Sequence, residues 1–561
     1  MYLRENPVLQ RELLVNLRMP RAFVLLLLYQ AMLGAVVYFA WPLESRLDLT
    51  ENPQSTRKLV DLFFLGQYIL ASLMAPSFAA AAICGEKERK TYEMLLASPL
   101  QPSAIVIGKL FASLAHLAVL IFASLPIVML CLPLGGVSFY EVLAAYLGLF
   151  LSVVSFGMIS IMCSSIFKRT SASLVVSYLT ILPLALLGVY LWQKLSANGE
   201  LRLQLVVGFF PGISAALCIV LFYVTGARLL RPPDVGSEGQ DVVDLEEESR
   251  KAVGLVIQPD QFPDKLFAPP KRNALMEDNI NPVYDKEIRS EIFSQGTLML
   301  RVVIQVSMLL AVVLMAVFLY CQPQLAAYFI GYVIIFNILV GPVFSAGAIT
   351  SERERQTLDL LLTTTITPWQ ILWGKLIAGL RVSSVLTFFL LWPVLLAAAM
   401  LPVYWKNWPA VIAFLVIVVL TCLTTAMIAL FCSSLARKTS ISLMSTYSII
   451  MLLFCLPLAA SFFASTFFPD HPANKYVQMA TIGSPFSAAN NVPLVVDDLQ
   501  EYEQRFSRPT GNEPSILGYR PEDWYHFSSY FVFTVLLNAV IFLTMTWLFT
   551  MRWRVAASTE G

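Results

Sequence analysis

The chain has 561 residues, of which 57% are hydrophobic and only 13% charged, with a mean hydropathy of +0.70; that is about half the charge of a soluble protein of this size, which excludes an ordinary water-soluble domain and calls for a bilayer to solvate the apolar excess. A net charge of +1 excludes the basic balance of a nucleic-acid binder. The eight cysteines lie in or beside apolar runs with no Cys-x-x-Cys pair, and the histidines are His116, His471 and His526, so neither a disulfide framework nor a metal site is expected.

The first residues carry Arg4, Arg11, Arg18 and Arg21 with no small-residue cleavage site after the apolar run, so they are not read as a signal peptide. Asn6 and Pro7 open an amphipathic stretch, because Asn caps a helix start and Pro fits its first turn. Val8, Leu9, Leu13, Leu14 and Leu17 oppose Arg11, Glu12 and Arg18 there, which describes a helix lying in the membrane interface. Two roles fit it, a plain anchor or an elbow touching a cytoplasmic partner. Six apolar runs long enough to span follow, roughly 22–41, 59–83, 104–132, 139–166, 171–192 and 203–228. Between the second and third runs stands GEKERKTYEMLLASPLQPSAIVIGKL, from Gly85. A helix there points Tyr92, Leu95 and Leu96 at the membrane or neighbouring spans and Glu86, Lys90 and Glu93 at the cytosol. Pro102 then turns the chain, and Lys109 snorkels to the interface. After the fourth run comes CSSIFKRTSASL, from Cys163, whose Lys168 and Arg169 are read equally as topogenic charge.

Residues 229–297 are rich in Pro and acidic side chains and read as a flexible cytoplasmic connection with an ordered end near Asn281. Then the pattern starts again. Asn281, Pro282 and Val283 with Lys286 and Glu287 repeat the Asn-Pro element. SERERQTLDLLLTTTITPWQILWGKL, from Ser351, repeats the charged element, and CSSLARKTSISL, from Cys432, repeats the third. Glu86, Glu88, Arg89, Thr91, Pro102 and Lys109 recur as Glu352, Glu354, Arg355, Thr357, Pro368 and Lys375. The second set of runs is roughly 299–320, 325–349, 371–400, 408–435, 440–466 and 528–550, with the long third and ninth runs open to tilting or breaking at Pro126, Pro133 and Pro393. Residues 467–527, present in one half, read as a small external insert.

Charged motifs matched at the same topological places indicate duplication. The expected fold is an all-α polytopic membrane protein of about twelve spans. Its domains are a first half 1–228, a linker 229–280 and a second half 281–561. An even number of spans per half makes the repeats parallel, related by a pseudo-two-fold axis along the membrane normal. Every short basic loop, at 86–90, 168–169, 352–355, 437–438 and 552–554, falls on one side, which puts both termini in the cytoplasm.

Away from their ends the spans hold almost no charged residue, with His116 and Arg381 the ones found and no carboxylate near mid-span, so an ion-coupled carrier is poorly supported. The chain has no phosphate-binding loop, since Gly108-Lys109 and Gly374-Lys375 are followed by Leu, and no catalytic constellation. Energy would therefore enter from a separate protein through the repeated loops. Positive-inside charge explains their Lys and Arg but not the repeated glutamates, which favours a docking surface.

The pattern Glu-x-Glu-Arg-x-Thr-x-(Glu/Asp)-x-Leu-Leu, then Pro, then Ile-x-x-Gly-Lys, resembles the ABC type-2 permease family, in both halves. The commoner family wording has Gly before the Thr, where this chain has Lys90 and Gln356. The resemblance implies an interfacial helix and six spans per half, with the segment between spans two and three touching a nucleotide-binding subunit. Glu86, Glu88, Arg89, Thr91, Glu352, Glu354, Arg355 and Thr357 then lie on or beside that contact, with Asn6, Pro7, Glu12, Lys109, Asn281, Pro282, Glu287 and Lys375 at the interface. It implies an exporter in the plasma (inner) membrane, two ATPase copies holding ATP and magnesium, and no cofactor in this chain. Re-entrant elements around Pro211 and Pro485 are candidates for an external gate. The alternative is an ATPase-coupled scaffold or mechanotransmitter that moves no solute, with the insert 467–527 meeting an envelope partner. The substrate is not legible.

Overall fold

A run of twenty apolar residues in lipid closes its backbone hydrogen bonds on itself as a helix, because the surroundings offer no other partner. A computed structural model describes residues 53–88, 91–129, 137–167, 170–194, 199–229, 281–289, 297–321, 323–354, 356–364, 366–437, 439–467, 472–494 and 524–558, together with 7, 9–11, 13, 30, 31 and 34. The described residues are helical, with no strand among them. Among the described residues, ten helices are long and apolar enough to cross a membrane. They coincide with ten of the twelve expected runs. The run at 299–320 is the helix Thr297–Met315 continued by a π turn, Ala316–Cys321. The run at 22–41 lies almost wholly outside the described residues, as do the linker and most of the insert.

The chain divides into two compact units, Met1–Val256 and Ile257–Gly561. In the first, α1 (Pro53–Ala79) and α2 (Ala81–Glu88) form the second span and its continuation, followed by the short α3 (Tyr92–Leu96). The third to fifth spans are α4 (Pro102–Met129), α5 (Phe139–Ile166) and α6 (Thr170–Lys194). Then α7 (Gly199–Gln204) runs through a π turn into α8 (Phe210–Leu229). The fourth span is the hub and packs on α1, α4, α6 and α8.

The second unit opens with α9 (Pro282–Arg289), the second Asn-Pro element, and α10 (Thr297–Met315). Its second span is α11 (Ala326–Ala346), followed by α12 (Thr350–Glu354) and α13 (Leu358–Leu362). The next spans are α14 (Pro368–Met400), α15 with α16 (Pro402–Lys406 and Trp408–Leu435), and α17 with α18 (Thr439–Ile450 and Leu456–Phe467). Two short helices, α19 (Ala473–Ala480) and α20 (Pro485–Asn490), precede α21 (Tyr525–Ser558). Here too the fourth span is the hub, with α16 against α11, α14, α17 and α21. One stretch departs from expectation. Residues 485–490 fall within the sequence-assigned insert, yet Pro485, Ser487, Ala488 and Ala489 are buried and α20 packs on α11, α16 and α21.

Small residues set the closest approaches, as they do between membrane helices generally. A Cβ on Gly379 of α14 would stand 2.6 Å from Ser345 Oγ of α11, whereas one on Gly331 would meet nothing within 4 Å. Gly379→Leu is therefore expected to cost about 1–3 kcal/mol by overpacking, and Gly331→Leu much less. Thermal unfolding of the two variants in the same detergent checks the difference.

Candidate functional site

The repeated charged element begins where the second span bends. Pro76 and Pro342 occupy matching positions in α1 and α11, and each removes a backbone donor and disturbs the helix. Just beyond, two backbone N–H groups in each unit find one serine of the Cys-Ser-Ser motif. Ile83 N and Cys84 N donate to Ser164 Oγ at 3.0 and 2.8 Å. Ile349 N and Thr350 N donate to Ser433 Oγ at 3.0 and 3.1 Å. Ser433 is buried, so Ser433→Ala leaves two buried donors unpaired, and a loss of about 1–3 kcal/mol is expected. Chemical denaturation of this variant beside Ser433→Thr, which restores the oxygen, measures it.

The next charges match the dipoles of the neighbouring helix ends. Lys87 Nζ donates to the carbonyls of Ser165 at 2.7 Å and Phe167 at 3.1 Å, where the fourth span ends. Arg353 does the same, donating to the carbonyls of Ala436 and, at 3.1 Å, Ser434. The following carboxylate caps the start of the fifth span. Glu88 Oε1 accepts from Thr170 N at 2.8 Å and Thr170 Oγ1 at 3.1 Å. Glu354 accepts from Thr439 N at 3.0 Å and Thr439 Oγ1 at 2.9 Å. A cation at a helix C-terminus and an anion at the next N-terminus thus close one turn between two spans.

The first glutamate of each motif points inward. Glu86 accepts from the Thr91 hydroxyl and from Lys109 Nζ, the latter at 3.2 Å. Glu352 accepts from the Thr357 hydroxyl, from Lys286 Nζ at 2.8 Å and from Lys375 Nζ at 3.5 Å. Lys375 also reaches Glu287 Oε1 at 2.6 Å and the Ala348 carbonyl at 2.8 Å. The Gly-Lys pair has a use for both members, since a Cβ on Gly374 would stand 3.1 Å from Tyr284 N and 3.2 Å from Asn281 Nδ2. Asn281 Nδ2 donates to the Gln370 carbonyl at 2.8 Å, and Asn281 Oδ1 caps Val283 N at 3.0 Å, so α9 is fastened along the start of α14. Gln356 takes φ 58°, a left-handed conformation that favours glycine, which accounts for Gly at that place in the commoner family wording.

Two expectations are corrected by this geometry. Glu86 does not face outward beside Glu93, and Lys109 and Lys375 do not snorkel: they are 4% and 2% exposed and buried against carboxylates. Pro211 is the second residue of α8, within an apolar helix running from Glu200 to Leu229, whereas Pro485 opens the separate α20. Pro7 is helical and exposed, and Pro282 opens α9. Asn6, Glu12, Arg89 and Arg355 lie outside the described residues.

Part of what remains outward is apolar. Tyr92 is buried and Leu96 packs against a core of Ile83, Val106, Met158 and Ile161. Leu358 and Leu362 seat α13 on Ile349, Leu372, Met427 and Leu430 in the matching way. One anchor at each end of a five-residue helix turns the middle residue out. Met94 is 75% exposed and Leu360 69%. Sequence reasoning passed over these two residues, as it did Lys87, Arg353, Ser164 and Ser433, although the repeat contains every one of these positions.

The family described as ABC-2 family transporter protein matches residues 8–205 and 217–552. No curated protein matches the chain significantly.

Proposed function

We propose, from the premise that the chain belongs to the ABC-2 transporter family, that both permease halves of an exporter are joined in it and that α3 and α13 are where a separate ATPase docks. A permease of this family works with an ATP-binding-cassette subunit. In this reading two copies of that subunit, holding ATP and magnesium, engage the two short helices, and their closure drives the halves of the chain between two arrangements. The side bearing the short helices is cytoplasmic, and the membrane is the plasma (inner) membrane.

The observation that carries the reading is the pair Met94 and Leu360. Each is a large apolar side chain left in the open at the same position of a duplicated motif, on a short helix anchored at both ends. An apolar knob on a rigid support is the usual form of a binding anchor. Glu86, Glu88, Glu352 and Glu354 shape that support from behind, and Glu93 lies exposed beside Met94.

Co-purification in mild detergent from the native membrane tests this. The wild-type chain should bring down an ATPase, and the double variant Met94→Asp, Leu360→Asp should lose it while remaining folded. An ATPase retained at the wild-type level by the double variant would falsify docking through these residues.

A further inference from the structure

The end of the first unit remote from this lattice carries buried hydrogen-bond donors with no partner among the described residues. Arg57, Asp61 and Phe64 share one face of α1 by their i, i+4, i+7 spacing. Arg202 of α7, 5% exposed, reaches across to Asp61 Oδ1 at 2.9 Å. Its guanidinium lies 4.3 Å from the centroid of the Trp192 ring. Phe64 backs that ring at 6.1 Å. Asp61 and Arg202 neutralise each other, so the charge of Arg57, one turn away on the same face, is left over. Arg57 Nε and Nη2 and Trp192 Nε1 are all buried with no partner among the described residues. All three are donors only. Their complement is an acceptor, and the surplus guanidinium charge makes it an oxyanion.

The fold does not demand this group. Tyr178 donates to the Leu73 carbonyl at 2.8 Å and Tyr447 to the Leu339 carbonyl at 2.7 Å, which fixes the register of the two second spans. In that register Arg57 and Asp61 correspond to Pro323 and Ala327. The second unit therefore builds the same lattice without them. Depth supplies the ligand class. The helix between this group and Glu86 is about 40 Å long at its standard rise, close to the thickness of a bilayer with its headgroup layers. The donors therefore stand at the level of lipid phosphates at the end of the second span opposite α3.

We infer that Arg57 and Trp192 form a phosphate-binding site in the first half, with Asp61 holding Arg202 in place beside them. The ligand is a phosphate oxyanion, carried by a lipid headgroup or free in solution. This does not depend on where an ATPase docks.

The test uses the full chain in detergent, with thermal unfolding followed against three additions: dihexanoylphosphatidic acid, the uncharged dihexanoylglycerol, and inorganic phosphate. The phosphate-bearing lipid should raise the midpoint, the uncharged glyceride should not, and Arg57→Gln should weaken the apparent affinity at least about tenfold. A rise with the lipid alone identifies a headgroup site, and an equal rise with inorganic phosphate identifies a free-anion site. If Arg57→Gln responds as wild type does, or the glyceride acts as strongly as the phosphatidic acid, the donors are merely hydrated and the inference is overturned. Should Arg57→Gln prove too unstable to purify, Trp192→Phe keeps an aromatic ring under Arg202 and removes the N–H with the pyrrole ring that carries it. An unchanged response in that variant overturns the inference equally.

Discussion

Lys375→Met is expected to destabilise the second unit by about 3–5 kcal/mol, the range for removing one partner of a buried ion pair. Lys375 Nζ sits between Glu287 at 2.6 Å and Glu352 at 3.5 Å and is itself almost wholly buried. Methionine fills the stem but leaves two largely buried carboxylates facing each other and the Ala348 carbonyl without its donor. Lys286 cannot take over, because its side chain is 58% exposed and solvent screens it. For the same reason Lys286→Met should cost no more than about 1 kcal/mol. Equilibrium unfolding of the two variants gives the contrast directly. Adding Glu287→Gln to Lys375→Met should recover part of the loss, since it removes one stranded charge. Equal costs for the two lysine variants would mean that the buried ammonium is not what holds α9 to α14.

The second large effect concerns turnover. With the ATPase partner reconstituted, Met94→Asp with Leu360→Asp should lower transporter-stimulated ATP hydrolysis at least about tenfold, since apolar anchors at interface centres carry about 2 kcal/mol or more each. The unfolding midpoint should not move, because both side chains point outward. Glu88→Gln with Glu354→Gln should behave in the opposite order. Each weakens the cap on a fifth span, costing about 0.5–2 kcal/mol per helix, and ATP hydrolysis should fall only as far as folded protein is lost. Measuring midpoint and hydrolysis on the same preparations separates the two classes. If the glutamine pair abolishes hydrolysis at an unchanged midpoint, the carboxylates themselves touch the ATPase and the anchors are secondary.

The duplication was fully legible in the sequence, and so were ten of the spans, because charged motifs at fixed spacing and long apolar runs need no tertiary information. The direction of the side chains was not. Periodicity from Glu86 to Leu96 assumes one helix, but Thr91 is not helical and α3 starts afresh at Tyr92, which restarts the helical phase. Lys109 lies far from Glu86 in sequence and becomes its partner only because the chain turns back at Pro102. The Cys-Ser-Ser motif reads as a basic turn until the bend of the second span brings two N–H groups to its middle serine. The one clue available beforehand was that the uncharged serines and threonines of these motifs recur as faithfully as the charges, which topogenic charge alone does not require. Residues 485–490 went to the insert because six residues are too few for a span, although they are buried among three helices.

The way the short helices are tied has a mechanical consequence. In the second unit α13 sits on Ile349, just past the end of α11, and on α14 and α16 through Leu358 and Leu362, and the segment before it is fastened to the ends of the fourth and fifth spans by Arg353 and Glu354. A push on Leu360 is passed directly to these anchored residues. The load passes through short, stiff links into four spans together, which makes the unit a lever with its handle at α13. Because those links are close apolar packing and charge-assisted hydrogen bonds, stroke and force are delivered with little loss, and loosening one link makes the handle move without the beam.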